Sequence, residues 1–151
     1  MRTIGFRCGK TDITYVVLEG TRSSPADIYH KKLPAPVDGA RADLLLWLRK
    51  EILELLDLYE PARGAYKRIE GNANPIPERI EFEAVLQEAC RSHASRLLLT
   101  GVLKKQLSTS LRYPGPASTV NNALSSAGLS GLNTAVFGDA AISALFSLPD
   151  E

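Results

Sequence analysis

The chain has 151 residues, 44% of them hydrophobic and 23% charged, the balance of an ordinary soluble globular protein. Its 18 Lys and Arg against 17 Asp and Glu leave a net charge of +1, which carries no electrostatic signature of a nucleic-acid binder, although a local basic face fits inside a neutral total. The length predicts one domain, residues 1–151, and no apolar run approaches the roughly 20 residues that span a bilayer.

Residues 3–6 and 13–18 are short apolar runs rich in β-branched and aromatic residues. The turn-like Cys8-Gly9-Lys10-Thr11-Asp12 lies between them, so two strands joined by a tight connection are predicted. A turn signal at 19–25 precedes a weaker third strand over about 27–33, completing an antiparallel meander. Pro34-Ala35-Pro36 breaks the chain, and Asp38 or Gly39 is placed to cap the helix that follows.

In that helix Leu44, Leu45, Leu48, Ile52, Leu55, Leu56 and Tyr59 recur at helical spacing, and Pro61 ends it after Glu60. A short strand is predicted over 65–69, then the loop Gly71-Asn72-Ala73-Asn74-Pro75. Pro77, with Glu78 beside it, suits the first turn of a helix running to about His93. Leu97-Leu98-Leu99-Thr100, within 96–101, reads as a parallel strand buried on both faces. A short basic helix over 102–111 follows, then the loop Tyr113-Pro114-Gly115-Pro116. Ser118 is placed to cap a helix over 119–127, 128–134 reads as a flexible connection, and an apolar helix over 138–148 ends at Pro149. The order β-β-β-α-β-α-β-α-α predicts an α/β fold, a mixed five-stranded sheet flanked by helices.

Four segments carry more than element type. The first strand reads Ile4-Gly5-Phe6-Arg7-Cys8-Gly9, and the fourth runs into Lys67-Arg68-Ile69-Glu70-Gly71. Lys104-Lys105-Gln106 follows the fifth, and the last helix opens Asp139-Ala140-Ala141-Ile142-Ser143-Ala144-Leu145. In this order, over residues 3–148, the chain resembles the ribonuclease H-like superfamily in its RuvC-like, Holliday-junction resolvase branch. There the first strand carries a Gly-Ile-Asp-Pro-Gly motif with a catalytic Asp, and the fourth strand ends on a catalytic Glu. A Val-Lys-Gln segment follows the fifth strand, and the last helix opens Asp-Ala-Ala-Asp-Ala-Leu. The resemblance implies the ribonuclease H-like fold, a homodimer, and Glu70 and Asp139 as the remnant of a four-carboxylate catalytic cluster. Arg7 stands where the bridging Asp belongs, and Ile142 where the last Asp belongs.

Two-metal phosphodiester cleavage holds two divalent ions about 4 Å apart between carboxylates. A guanidinium offers only donors and stays cationic, so Arg7 would repel such ions and pair with carboxylates instead. Asp12, across the turn from Arg7, is a poor substitute.

Each candidate also has a plain structural reading. Glu70 fits a solvated loop carboxylate as well as a relic of the cluster, and Asp139 fits a helix-start acid that favours the dipole. Arg7 is read first as the partner of Glu70 or Asp139, and second as a phosphate contact. All three are expected to converge within one or two hydrogen-bond lengths of one another.

Arg7, Lys67, Arg68, Lys104, Lys105 and Arg112 are the candidate nucleic-acid contacts, because ligands of such sheets gather outside the carboxyl ends of the strands. Cys8 and Cys90 read as buried thiols of a reducing compartment, with no zinc-like spacing, and the first six residues lack a signal h-region. A cytoplasmic setting with no membrane partner is the expectation. His30 and His93 read as isolated, Glu81, Glu83 and Glu88 as a solvated helix face, and Trp47 as core. Gly9-Lys10-Thr11 lacks the first glycine of a phosphate loop, and no nucleophile elbow is present.

The residues therefore point to a non-catalytic module that binds a protein partner or nucleic acid within a larger assembly and needs no cofactor. The alternative is a divergent nuclease of DNA or RNA that depends on Mg²⁺ or Mn²⁺.

Overall fold

The computed structural model describes residues 1–36, 38–71 and 73–151, so Asn72 of the 71–75 loop lies outside the described residues. The chain opens with β1 (Arg2–Cys8), β2 (Asp12–Thr21) and β3 (Ser24–Pro34). It then alternates through α1 (Arg41–Tyr59), β4 (Arg63–Lys67), α2 (Pro77–Ser92) and β5 (Leu98–Val102). Three helices close it: α3 (Lys104–Ser110), the four-residue α4 (Ala123–Ser126) and α5 (Gly138–Ser147). The sheet order is β3-β2-β1-β4-β5, antiparallel from β3 to β1 and parallel from β1 to β5. This is the mixed five-stranded, helix-flanked sheet that the sequence predicts.

Two-residue alternation along the central strands divides the interior into two cores. Ile4, Phe6 and Cys8 of β1, with Ile13, Tyr15 and Val17 of β2, face α1 and α2, where Leu48, Ile52, Phe82 and Leu86 meet them. Val16 and Leu18 face the other way, onto Leu107, Leu124, Ala140, Ala144 and Leu145. The runs over 3–6 and 13–18 are apolar at successive positions because both faces of β1 and β2 are covered.

Several local expectations change. β3 is longer than predicted and mostly exposed, because it is an edge strand. β5 is the other edge: Leu98 is 67% exposed, so its apolar run is not buried on both faces. β4 begins and ends two residues early, so Glu70 lies three residues beyond the strand. Ala40 holds the N-cap position of α1, with no side-chain cap from Asp38 or Gly39. Pro77 does open α2. Ser118 lies inside a 3-10 turn (Ala117–Asn122) and caps no helix. The connection over 128–134 is anchored by a further 3-10 turn (Ser130–Leu132) and by buried Leu129 and Leu132.

Side-chain assignments change as well. His93 Nε2 meets Asp57 at 2.6 Å and His30 Nδ1 meets Asp27 at 2.8 Å, so neither is isolated. Glu81 and Glu88 pair with Arg41 and Arg49, whereas Glu83 is buried and not part of a solvated face. Trp47 packs against the first core while partly exposed. Cys8 and Cys90 are buried, and burial pushes the Cys90 thiol up to about 12, which makes both inert core thiols. Among the described residues, no helix is long and apolar enough to cross a membrane.

Candidate functional site

The site is built on the face of β1 that carries Thr3, Gly5 and Arg7. Thr3 Oγ1 donates to the Ala144 carbonyl oxygen at 2.9 Å, which draws α5 onto the strand. A Cβ at position 5 would overlap the Ala140 carbonyl oxygen and the Ala144 amide nitrogen, so only glycine admits the helix at this depth. The first turn of α5 then reaches the end of β1, where Arg7 emerges two residues beyond Gly5.

Arg7 Nε donates to Asp139 Oδ2 at 3.1 Å, and Asn121 Nδ2 donates to Asp139 Oδ1 at 3.0 Å. Both carboxylate oxygens of Asp139 are thus engaged by the chain's own donors. The pair is partly open to solvent, with Arg7 36% and Asp139 22% exposed. Among the described residues, the terminal nitrogens of Arg7 have no hydrogen-bond partner, so the pair uses only part of the guanidinium's donors.

Glu70 forms a second, separate set. Lys67 Nζ lies 2.7 Å from Glu70 Oε1, and the Lys104 backbone N–H donates to the same oxygen at 2.9 Å. Burial pulls the Glu70 carboxyl upward, but the Lys67 ammonium and the Lys104 amide outweigh it and hold the group below the ordinary Glu range. The expected three-way convergence therefore splits: Arg7 takes Asp139, Lys67 takes Glu70, and no ion pair joins Arg7 to Glu70 among the described residues.

The basic candidates divide by position. Arg68 and Lys105 are exposed beyond the carboxyl ends of β4 and β5, and Lys104 Nζ approaches the Ser118 carbonyl oxygen at 3.5 Å. Lys67 is buried, with its ammonium also donating to the Arg68 carbonyl oxygen at 2.7 Å, so it balances charge inside the fold. Arg112 lies at the opposite end of the sheet. It lines a cavity with Arg22 and Ser23 of the β2–β3 turn, and strand register places that turn beside the start of β1. Arg112 therefore leaves the patch.

Asn121 and the Lys104 amide were not foreseen, since a loop side chain and a backbone N–H carry no sequence mark. Gly5 did carry one: glycine inside an apolar strand signals a close backbone approach.

No family model matches the sequence, and no curated protein matches it. The fold is similar to that of solved Holliday-junction enzymes. Thermus thermophilus RuvC superposes with a TM-score of 0.73 at 14% identity, over 97% of this chain and 92% of that one. The same enzyme in complex with a Holliday junction substrate gives 0.72 at 14% identity, over 97% and 91%. The yeast mitochondrial Holliday junction resolvase Ydc2 gives 0.63 at 12% identity, over 95% and 76%. The chain has the RuvC type of ribonuclease H-like fold.

Proposed function

We propose that this chain is a ribonuclease H-like module that binds nucleic acid at the carboxyl end of its sheet, without a metal ion and without cutting the strand. The observation that carries the reading is the Arg7–Asp139 pair at 3.1 Å: a fixed cation stands beside the carboxylate at the end of the central strand.

Three further features support it. The donor set does not fit two divalent ions, because Glu70 and Asp139 are each neutralised from within, and no group of three or more His, Cys, Asp or Glu gathers as a metal site among the described residues. Position 142, where the resemblance places a further carboxylate, holds a fully buried isoleucine in the second core. An Asp there would be desolvated in hydrocarbon. The terminal nitrogens of Arg7, with Arg68, Lys104 and Lys105, supply fixed positive charge at this end of the sheet, and the similar RuvC fold has been solved with a Holliday junction substrate. Such charge grips phosphate through counterion release and needs no metal. The setting is cytoplasmic, and a paired copy of the chain would present two such ends to one substrate.

The test is binding of four-way-junction and single-stranded DNA in EDTA and in Mg²⁺, across a salt series, with a cleavage assay in Mn²⁺. Equal binding with and without Mg²⁺, a steep fall with salt, and uniform weakening by Lys104→Ala with Lys105→Ala are expected. Calorimetry should find no Mg²⁺ or Mn²⁺ site tighter than about millimolar. Cleavage that disappears in Glu70→Ala would replace this reading with the metal-dependent nuclease.

A further inference from the structure

The cavity that Arg112 lines, at the end of the sheet away from Arg7, has no part in the reading above. It measures about 430 Å³ and lies among the β2–β3 turn, the end of α3, α4 and α5. Leu111, Ala127 and Leu145 give it apolar walls, and Arg22, Ser110 and Arg112 bring polar groups to it. Small-molecule sites have this size and this mixture, an apolar lining with a few placed polar groups.

The two arginines stand in different conditions. Arg22 is fixed: Nη2 donates to the Phe146 carbonyl oxygen at 2.6 Å, and Nη1 donates to Asp150 Oδ1 at 2.9 Å and to the Ser110 carbonyl oxygen at 3.3 Å. The Asp150 side chain is 76% exposed, so one wall of the cavity already seats a carboxylate on a guanidinium at the solvent boundary. Arg112 is exposed, and among the described residues its side chain makes no hydrogen bond and no ion pair.

The backbone at Arg112 adds a second observation. The Tyr113 N–H donates to the Ser108 carbonyl oxygen at 2.9 Å, and the Arg112 N–H donates to the Thr109 carbonyl oxygen at 3.2 Å. This pair of bonds is the helix closure in which the residue at position 112 turns left-handed and is usually glycine. Arg112 takes that conformation, with φ at 53°, although a Cβ makes it strained. The fold by itself is served better by glycine here, so the arginine side chain is retained at a local cost.

We propose that this cavity binds a small organic monocarboxylate, with the Arg112 guanidinium on the carboxylate and Leu111, Ala127 and Leu145 against an apolar body. The charge of the lining residues selects the head group: Arg22 and Arg112 against Asp150 leave one net positive charge. A carboxylate matches that charge, whereas a phosphate monoester carries about −1.5 to −2 at neutral pH. The planar guanidinium fork also fits both oxygens of a carboxylate at once. Ser110 Oγ accepts from Arg22 Nη2 at 3.4 Å, which leaves its own proton to donate to the same head group. The site is separate from the nucleic-acid surface and does not depend on it.

The experiment titrates the full chain with phenylacetate, followed by amide-resolved NMR, beside its neutral amide phenylacetamide, acetate and phenyl phosphate. Phenylacetate should shift the Arg112, Ala127 and Leu145 amides saturably. The other three compounds should bind about tenfold more weakly or worse, the loss expected when a charge-assisted bond or the apolar contact is removed. Arg112→Gly separates the ligand role from a role in the fold. It should keep or raise the denaturation midpoint, because the strain is relieved, and weaken phenylacetate about tenfold or more. Arg112→Lys should restore part of that affinity. Equal binding of phenylacetate and phenylacetamide, or full affinity in Arg112→Gly, would overturn the proposal. A lower midpoint in Arg112→Gly would do so too, by making the side chain a cap of α3. Tighter binding of phenyl phosphate than of phenylacetate would sink the monocarboxylate assignment.

Discussion

The start of α5 and the middle of α2 carry carboxylates in different conditions. At the start of α5, Asp139 has a donor on each oxygen, from Arg7 and Asn121, and beyond β4 Glu70 has two donors on one oxygen. Glu83 of α2 is more deeply buried, and its inaccessible Oε1 is met by the Arg79 guanidinium only as an ion pair at 3.3 Å. Asp139 is thus an acid saturated from within the chain. Of the two acids at positions that resemble a catalytic cluster, Asp139 is bonded on both oxygens and Glu70 on one, while Glu83, which the sequence reading placed in solvent, is buried.

The largest test of that contrast is Gly5→Ala. The added Cβ overlaps the backbone of α5, so the helix must lift and Asp139 must leave Arg7. A loss of about 3 kcal/mol is expected, the upper part of the overpacking range, measured by chemical denaturation. Native-like stability would mean that α5 is not held by the close approach to β1.

Asp139→Ala should come next. It leaves Arg7 and Asn121 without their acceptor, but the site is partly solvated, so a loss of about 1 to 2 kcal/mol is expected. In a double-mutant cycle with Arg7→Ala, the coupling should be about 0.5 to 1 kcal/mol, because a pair this exposed is screened by water. A coupling near zero would reduce the saturation of Asp139 to the Asn121 contact alone.

Glu70 and Glu83 should also respond to pH with opposite sign. Glu70 titrates lower in the folded chain than in the unfolded one, where a Glu titrates near 4.3. Its contribution is full above that value and disappears as pH falls through the folded value. Glu83 titrates higher when folded, mainly through burial. Its contribution is full below the unfolded value and is lost as pH rises through the folded value. Denaturation midpoints followed across both windows should lose the acid-side decline in Glu70→Gln and the rise on acidification in Glu83→Gln. The same sign for both variants would erase the distinction between the two acids.

The smallest effect concerns Arg112. Its cavity lies at the far end of the sheet, so Arg112→Ala should leave DNA affinity and its salt slope unchanged, while Lys104→Ala with Lys105→Ala lowers both. A matching loss in both would extend the binding surface along the whole domain.

Legibility followed the range of the interaction. Doubly apolar runs announced β1 and β2, Pro77 announced α2, and leucine spacing announced α1, because each depends on neighbours within a turn or a pleat. The same logic failed at Leu97-Leu98-Leu99-Thr100: an apolar run is compatible with a central or an edge strand, and only the sheet order makes β5 an edge. It failed again at Glu83, where exposure depends on how α2 sits against β4.

The sequence by itself determined the element order, the apolar runs of the first two strands, and the presence of Arg7 and Ile142 at two positions where the resemblance places carboxylates. Those are matters of side-chain identity and of the 2.0 and 3.6 periods. Tertiary structure alone decided which cation met which acid. Arg7 and Asp139 are 132 residues apart, and Asn121 comes from a 3-10 turn with no periodic signature. Lys67 reaches Glu70 because β4 stops three residues short of it and the chain bends back. Pairings of that kind depend on where backbones cross, and a crossing is set by packing distance, here by the absence of a Cβ at Gly5.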